Sequence, residues 1–197
     1  ATSLGSASFR LIRPVFGFSD GTFSPEEVVR RAKLLGLRAI SLTDHDTMEG
    51  CERMGTACRE RGIEFIPATE LTAELGGHEL HMLGYFLDPQ NPRLQTELAK
   101  FQEVRQQRIL EMVARLNQLG VPLKAEAVFA LANCRSPGRP HVARTLVQGG
   151  WCSSLDEAFD RFLRKGKPAW VPKFKISATD AIQLIHHAGG LAVIAHP

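Results

Sequence analysis

Two apolar runs that each stop on a histidine constrain this chain more than any other feature. Residues 37–43 read Leu-Arg-Ala-Ile-Ser-Leu-Thr and run directly into Asp44-His45-Asp46-Thr47. Residues 191–195 read Leu-Ala-Val-Ile-Ala and run into His196-Pro197. Short continuous apolar runs of this kind read as buried strands, and in α/β folds chemistry collects where such strands end. Glu70, His81 and His141 fall between the two ends. Imidazoles with a carboxylate make a donor set for a borderline divalent cation, so a metal site at strand ends is the leading expectation.

The neighbouring signals predict helices that alternate with these strands. Ser24-Pro25-Glu26-Glu27 opens a helix with a capping hydroxyl, a proline in the first turn and two acids at the positive end of the dipole. Val28, Val29, Ala32 and Leu35 line one face, and Gly36 closes it. A second helix is expected from after Thr47 to about residue 61, then a strand over 63–67. Helix, strand, helix, strand with short connections implies a parallel sheet. Residues 69–75 and 80–87, joined through Gly76-Gly77, instead read as an antiparallel pair with Glu70 on one strand and His81 on the other.

Asp88-Pro89-Gln90-Asn91-Pro92 then breaks the chain. A long helix over 93–119 follows, with Leu94, Leu98, Phe101, Val104, Ile109, Met112, Val113 and Leu116 at helical intervals. Further helices are expected over 124–133, 139–149 and 154–164. The organisation predicted is therefore an altered or flexible segment over 1–18, an α/β part over 19–89, an inserted helical lobe over 90–165 and a return to α/β over 166–197. That return would contain a strand at Ala169-Trp170-Val171, a helix over 178–188 and the strand 191–195. Residues 9–18 would add a strand weakened by Pro14 and Gly17. A chain that stops on a strand, without a covering helix, is expected to belong to a longer domain.

Composition narrows the functions. A formal net charge of +3 is too mild to argue nucleic-acid binding by itself. No run approaches the length a membrane helix needs, and no protein partner can be inferred. Cys51, Cys58, Cys134 and Cys152 lack metal-binding or redox spacing and read as reduced, mostly buried residues of a cytoplasmic protein. Residues 1–18 contain no acid, as organelle-targeting segments do, but carry only Arg10 and Arg13 as basic residues.

Six segments in order carry a family resemblance: residues 19–27, Thr43-Asp44-His45-Asp46-Thr47, the Glu70 strand, His81-Met82-Leu83-Gly84-Tyr85-Phe86, Gly138-Arg139-Pro140-His141-Val142-Ala143 and Ala195-His196-Pro197. Together they resemble the polymerase and histidinol phosphatase (PHP) family of metallophosphoesterases. Within it they are most similar to the branch of 3′,5′-nucleoside bisphosphate phosphatases that also trim short RNA from the 5′ end. The resemblance implies a distorted (β/α)7 barrel, here C-terminally incomplete, with an inserted helical lobe. It implies up to three divalent ions (manganese, zinc or iron) at the strand ends, with one or two expected in this chain. By position Glu70 resembles the bridging carboxylate, His81 and His141 the ligands of one metal, and Asp20, His45 and His196 those of another. The family's opening histidine pair is replaced by Arg13 and Val15, neither of which can ligate, and its closing Asp-x-His lies beyond Pro197. The metal served by those groups is expected to be absent or weak.

The implied reaction is hydrolysis of phosphate monoesters of nucleotides, with nucleotide or short RNA as the partner. Asp44 would orient a ligand or accept a proton, and Arg139, Arg108 and Lys167 would hold phosphate. Plainer readings stand beside these: Asp20 as a turn cap, Lys167 as a solvated turn residue, Arg108 as a helix-surface charge, and His78, His186 and His187 as structural. The alternative function is an impaired descendant or fragment that binds metal or nucleotide without turnover.

Overall fold

The computed structural model describes residues 23–195. The strand expected within 9–18, Arg13, Val15, Asp20 and His196 lie outside them. Helix α1 (Pro25–Leu34) starts as the sequence dictates, with the Ser24 hydroxyl accepting the Glu27 N–H at 3.3 Å. Strand β1 (Ala39–Leu42) is buried along its whole length. Helix α2 (Cys51–Arg61) ends on Gly62 in the left-handed conformation. Strand β2 (Glu64–Leu75) runs parallel to β1, pairing Ala39 with Glu64 through Leu42 with Pro67. Val29, Ile40, Met54 and Cys58 form the apolar layer between these two helices and the sheet.

The strands expected at 63–67 and 69–75 are one continuous strand. Pro67 would ordinarily interrupt a ladder by its missing N–H, but it sits where β2 changes neighbours: pairing with β1 ends at Pro67 and pairing with β3 (His78–Tyr85) begins at Ala68. The β2–β3 turn uses Gly76 and Gly77, with φ of 59° and 82°, as the glycine pair predicted.

Helix α3 (Pro92–Gln118) is 27 residues long and belongs to two cores. Its first half packs Leu94, Leu98 and Phe101 against Leu71, Met82 and Ile185 of the sheet layer. Its second half packs Ile109, Met112 and Leu116 against Val142, Leu146 and Leu163 of the helices that follow. Those are α4 (Ala125–Ala132), α5 (Arg139–Gln148) and α6 (Leu155–Ala158), the last continuing into a π-helical turn over Phe159–Leu163. Val104, expected on the apolar stripe, is instead 40% exposed, because it falls at the handover between the two cores.

Residues 169–171 do not form the expected strand. Ala169 and Val171 are buried in the helical core, and the carbonyls of Trp170 and Val171 accept from Arg115 and Arg108 of α3 instead of from a ladder. The strand forms later, as β4 (Ile176–Ser177), parallel to β2 at Ala73 and Glu74. Helix α7 (Ala178–His187) and strand β5 (Leu191–Ala195) follow, β5 lying antiparallel to β3. The sheet order is β1-β2-β3-β5 with β4 also on β2, a mixed sheet rather than the parallel one that the alternation alone implied. Among the described residues no helix is long and apolar enough to cross a membrane.

Candidate metal centre

Backbone pairing beyond the end of β1 builds the site. The Glu70 N–H donates to the Asp44 carbonyl, and the Asp46 N–H donates to the Glu70 carbonyl, each at 3.0 Å, so His45 and Glu70 form a parallel bridge. The Thr69 hydroxyl, also buried, lies 3.0 Å from the carbonyls of both Asp44 and Thr47, and its single proton, shared between them, ties the loop from the other side. On β3, His81 stands opposite Thr72, and Glu70 opposite Leu83. Glu70 and His81 are therefore diagonal neighbours on one face of the hairpin, within reach of long side chains.

The three side chains converge. Glu70 Oε1 is 2.6 Å from His81 Nδ1, and Oε2 is 3.9 Å from His45 Nδ1. The imidazoles meet edge to face with centroids 5.1 Å apart. One ligand atom from each residue lies within 4.8 Å of the others, a group that can hold a metal ion. Glu70 is fully buried, and a buried carboxylate needs positive charge beside it. Two imidazoles on one buried carboxylate suit zinc, manganese or iron, so the residues present fit a divalent cation.

Around this group lies a row of cations. Lys173 Nζ sits 2.7 Å from Glu79 and 3.3 Å from His81 Nε2. Arg105 reaches Asp46 Oδ2 with both Nε and Nη2 at 2.6 Å, while Asp46 itself holds a left-handed backbone with φ of 52°. Arg108 gives two hydrogen bonds to the Val171 carbonyl. Burial, with Arg139 and Arg105 nearby, pushes the Arg108 guanidinium down to about 10. Arg139 is lowered by burial as well. Lys173 is lowered by burial, with Arg105 and Arg139 acting in the same direction and Glu79 against it. Four cations thus crowd one another, which an anion among them would relieve. Asp46, Thr72, Arg105, Arg108 and Lys173 line one cleft, and Lys173 also lies against the metal-binding group at His81. The Thr72 hydroxyl is buried with no hydrogen-bond partner among the described residues.

The other expected residues fall differently. Asp44 is buried beside His45. His141 is buried in the first turn of α5, where its Nδ1 accepts the Gly138 N–H at 3.0 Å. Among the described residues it is not part of the group formed by His45, Glu70 and His81. The loop before it is tied to the site, because the Ser136 hydroxyl donates to the His45 carbonyl. Arg139 donates to the Leu163 carbonyl. Lys167 is exposed in a turn away from the cleft lining. Arg105, Lys173, Asp46 and Thr72 were not anticipated. The spacing of Arg105 and Arg108 could have shown the first, since residues three apart share a helix face.

The family model described as PHP domain matches residues 14–134. The chain belongs to the PHP domain family. It is 37% identical over 179 residues to a 5′-3′ exoribonuclease of Haemophilus influenzae, covering 91% of this chain and 65% of that protein. It is 36% identical over 182 residues to the 3′,5′-nucleoside bisphosphate phosphatase of Chromobacterium violaceum, covering 91% of this chain and 63% of that one. This chain thus spans less than two thirds of the length of these curated relatives. A solved structure from Bifidobacterium adolescentis described as a metal-dependent phosphoesterase matches with TM-score 0.87 at 31% identity, over 94% of this chain and 65% of that one. An amidohydrolase structure from Chromobacterium violaceum with bound sulfate and no metal matches with TM-score 0.85 at 34% identity, over 97% and 67%. The relatives carry enzyme names, which gives the impaired-descendant alternative no support.

Proposed function

We propose that this chain is part of a metal-dependent phosphoesterase that hydrolyses phosphate monoesters of nucleotides, 3′,5′-nucleoside bisphosphates first, with 5′-to-3′ trimming of short RNA as a second use of the same site. The observation that carries this reading is the His45–Glu70–His81 group, with its buried carboxylate, set against the cations Lys173, Arg105, Arg108 and Arg139. For the architecture we propose the distorted (β/α)7 barrel, with β1–β5 as part of its wall.

His45, Glu70 and His81 would hold one or two ions of manganese, zinc or iron. A bound ion of this kind lowers the pKa of a water and draws charge from phosphoryl oxygens. The chain's own residues do the rest. Lys173 and Arg105 hold phosphoryl oxygens, and Arg139 can grip two at once. Asp44, beside His45, accepts the proton of the attacking water. His141 joins the ligands only by releasing Gly138 and presenting an unprotonated nitrogen. Asp20 and His196 complete the proposed ligand set, and Lys167 remains a proposed phosphate contact at the periphery.

The test is release of inorganic phosphate from adenosine 3′,5′-bisphosphate by manganese-loaded protein and by its His81→Ala variant. The reading expects release by the first and a loss of at least a hundredfold in the second. Equal release by both, or none by the first, would overturn it.

A further inference from the structure

The cleft beside the metal-binding group has a second chemical character that phosphate alone does not use. Phe174 directly follows Lys173, lines the same cleft, and is 52% exposed. Its ring packs on buried Phe101 with centroids 5.8 Å apart and planes tilted by 35°. Val104, 40% exposed, and Ile176 extend the apolar rim on the same side. The cleft therefore grades from cations at Arg105, Arg108 and Lys173 to a flat, half-open aromatic ring. Few ligands share that division. An inorganic phosphate or a sugar phosphate would leave the ring uncovered, whereas a mononucleotide carries anionic oxygens at one end and a planar π-system at the other.

We infer that Phe174 is a stacking platform for the nucleobase of the substrate, held in place from behind by Phe101. The inference rests on the phosphoesterase reading above and deepens it. Because every base offers a π-face, a lone aromatic platform accepts all four. In the described cleft lining the Asp46 carboxylate is already taken by Arg105 and the Thr72 N–H, so the ring is the group offered to the base, and the site discriminates nucleotide from non-nucleotide esters. The platform also suits successive cleavage of short RNA, in which each new terminal base must be accepted in turn.

The experiment compares hydrolysis of adenosine 3′,5′-bisphosphate with that of the base-free 1,2-dideoxyribose 3,5-bisphosphate, using the metal-loaded chain and its Phe174→Ala and Phe174→Tyr variants. Base–aromatic stacking predicts that Phe174→Ala raises KM for the nucleotide about tenfold, with kcat held within twofold. The base-free ester should change by less than twofold, and Phe174→Tyr should restore nucleotide KM. An equal loss on both esters would mean that the ring merely supports Lys173, and no loss on either would mean that the base lies elsewhere; each overturns the platform. No turnover of either ester by the unsubstituted protein defeats the phosphoesterase reading instead. Calorimetric affinity for adenosine 5′-monophosphate then judges Phe174 alone, and equal affinity in the unsubstituted and Phe174→Ala proteins defeats it.

Discussion

Replacing Asp46 by Asn should destabilise the chain more than its small chemical change suggests. Asp46 closes the loop that carries His45, and its carboxylate oxygen Oδ2 lies 2.6 Å from both Nε, which donates to it, and Nη2 of Arg105, with side chains only 8% and 13% exposed. Removing one member of a buried pair costs about 3–5 kcal/mol, chiefly because the other charge is left uncompensated. Here the abandoned Arg105 charge would also face Arg108 and Lys173. Asn tolerates the left-handed backbone at φ of 52° and can still accept the Thr72 N–H at 3.4 Å, so the lower end, about 3 kcal/mol, is expected. For a chain of this size that is a fall of about 6–12 °C in Tm. Urea denaturation of Asp46→Asn, Arg105→Gln and the double variant measures the coupling. The two effects should fall short of additivity by at least about 1.5 kcal/mol; additivity within about 0.5 kcal/mol would refute the claim that this pair holds the loop to α3. Inorganic phosphate should raise the Tm of Asp46→Asn more than that of the parent, since it replaces the lost anion.

Gly190→Ala should destabilise by about 1–3 kcal/mol, because a Cβ there would lie 2.6 Å from Leu87 Cδ2 and 2.7 Å from the Tyr85 carbonyl, a backbone atom that cannot step aside; a change under 0.5 kcal/mol in urea denaturation would contradict this. Burial pushes the Cys51 thiol from 9.0 up to about 12, so at pH 8 the folded protein carries roughly a thousandfold less thiolate there than a free cysteine. Alkylation at pH 8 followed by mass spectrometry should show Cys51 labelled only after denaturation, and labelling of the folded protein at a peptide's rate would contradict the burial.

Much of the fold was legible because its signals are local. Ser24, Gly62 and the Gly76-Gly77 pair each act within a turn, and the structure uses them as read. What failed was non-local. Residues 169–171 look like a strand by composition, yet Arg108 and Arg115, some 55 or more positions earlier, take their carbonyls. Pro67 breaks a strand in isolation but not where the neighbouring strands change. The site shows the same division. His45 and Glu70 could be placed from strand ends and His81 from the hairpin, because register brings them together. Lys173 carries no motif, and its place beside His81 arises only after a long helical excursion closes back on the hairpin. His141 is marked by family order alone; in the fold its Nδ1 accepts the Gly138 N–H in the first turn of α5.

The central claim is that His45, Glu70 and His81 hold a divalent cation. Elemental analysis of the chain after loading with manganese or zinc and removal of the excess, beside the Glu70→Gln variant treated alike, addresses it most directly. At least one ion per chain in the first and less than a tenth of that in the second is the predicted result. No retained ion in the unsubstituted chain, or the same content in both proteins, would contradict it.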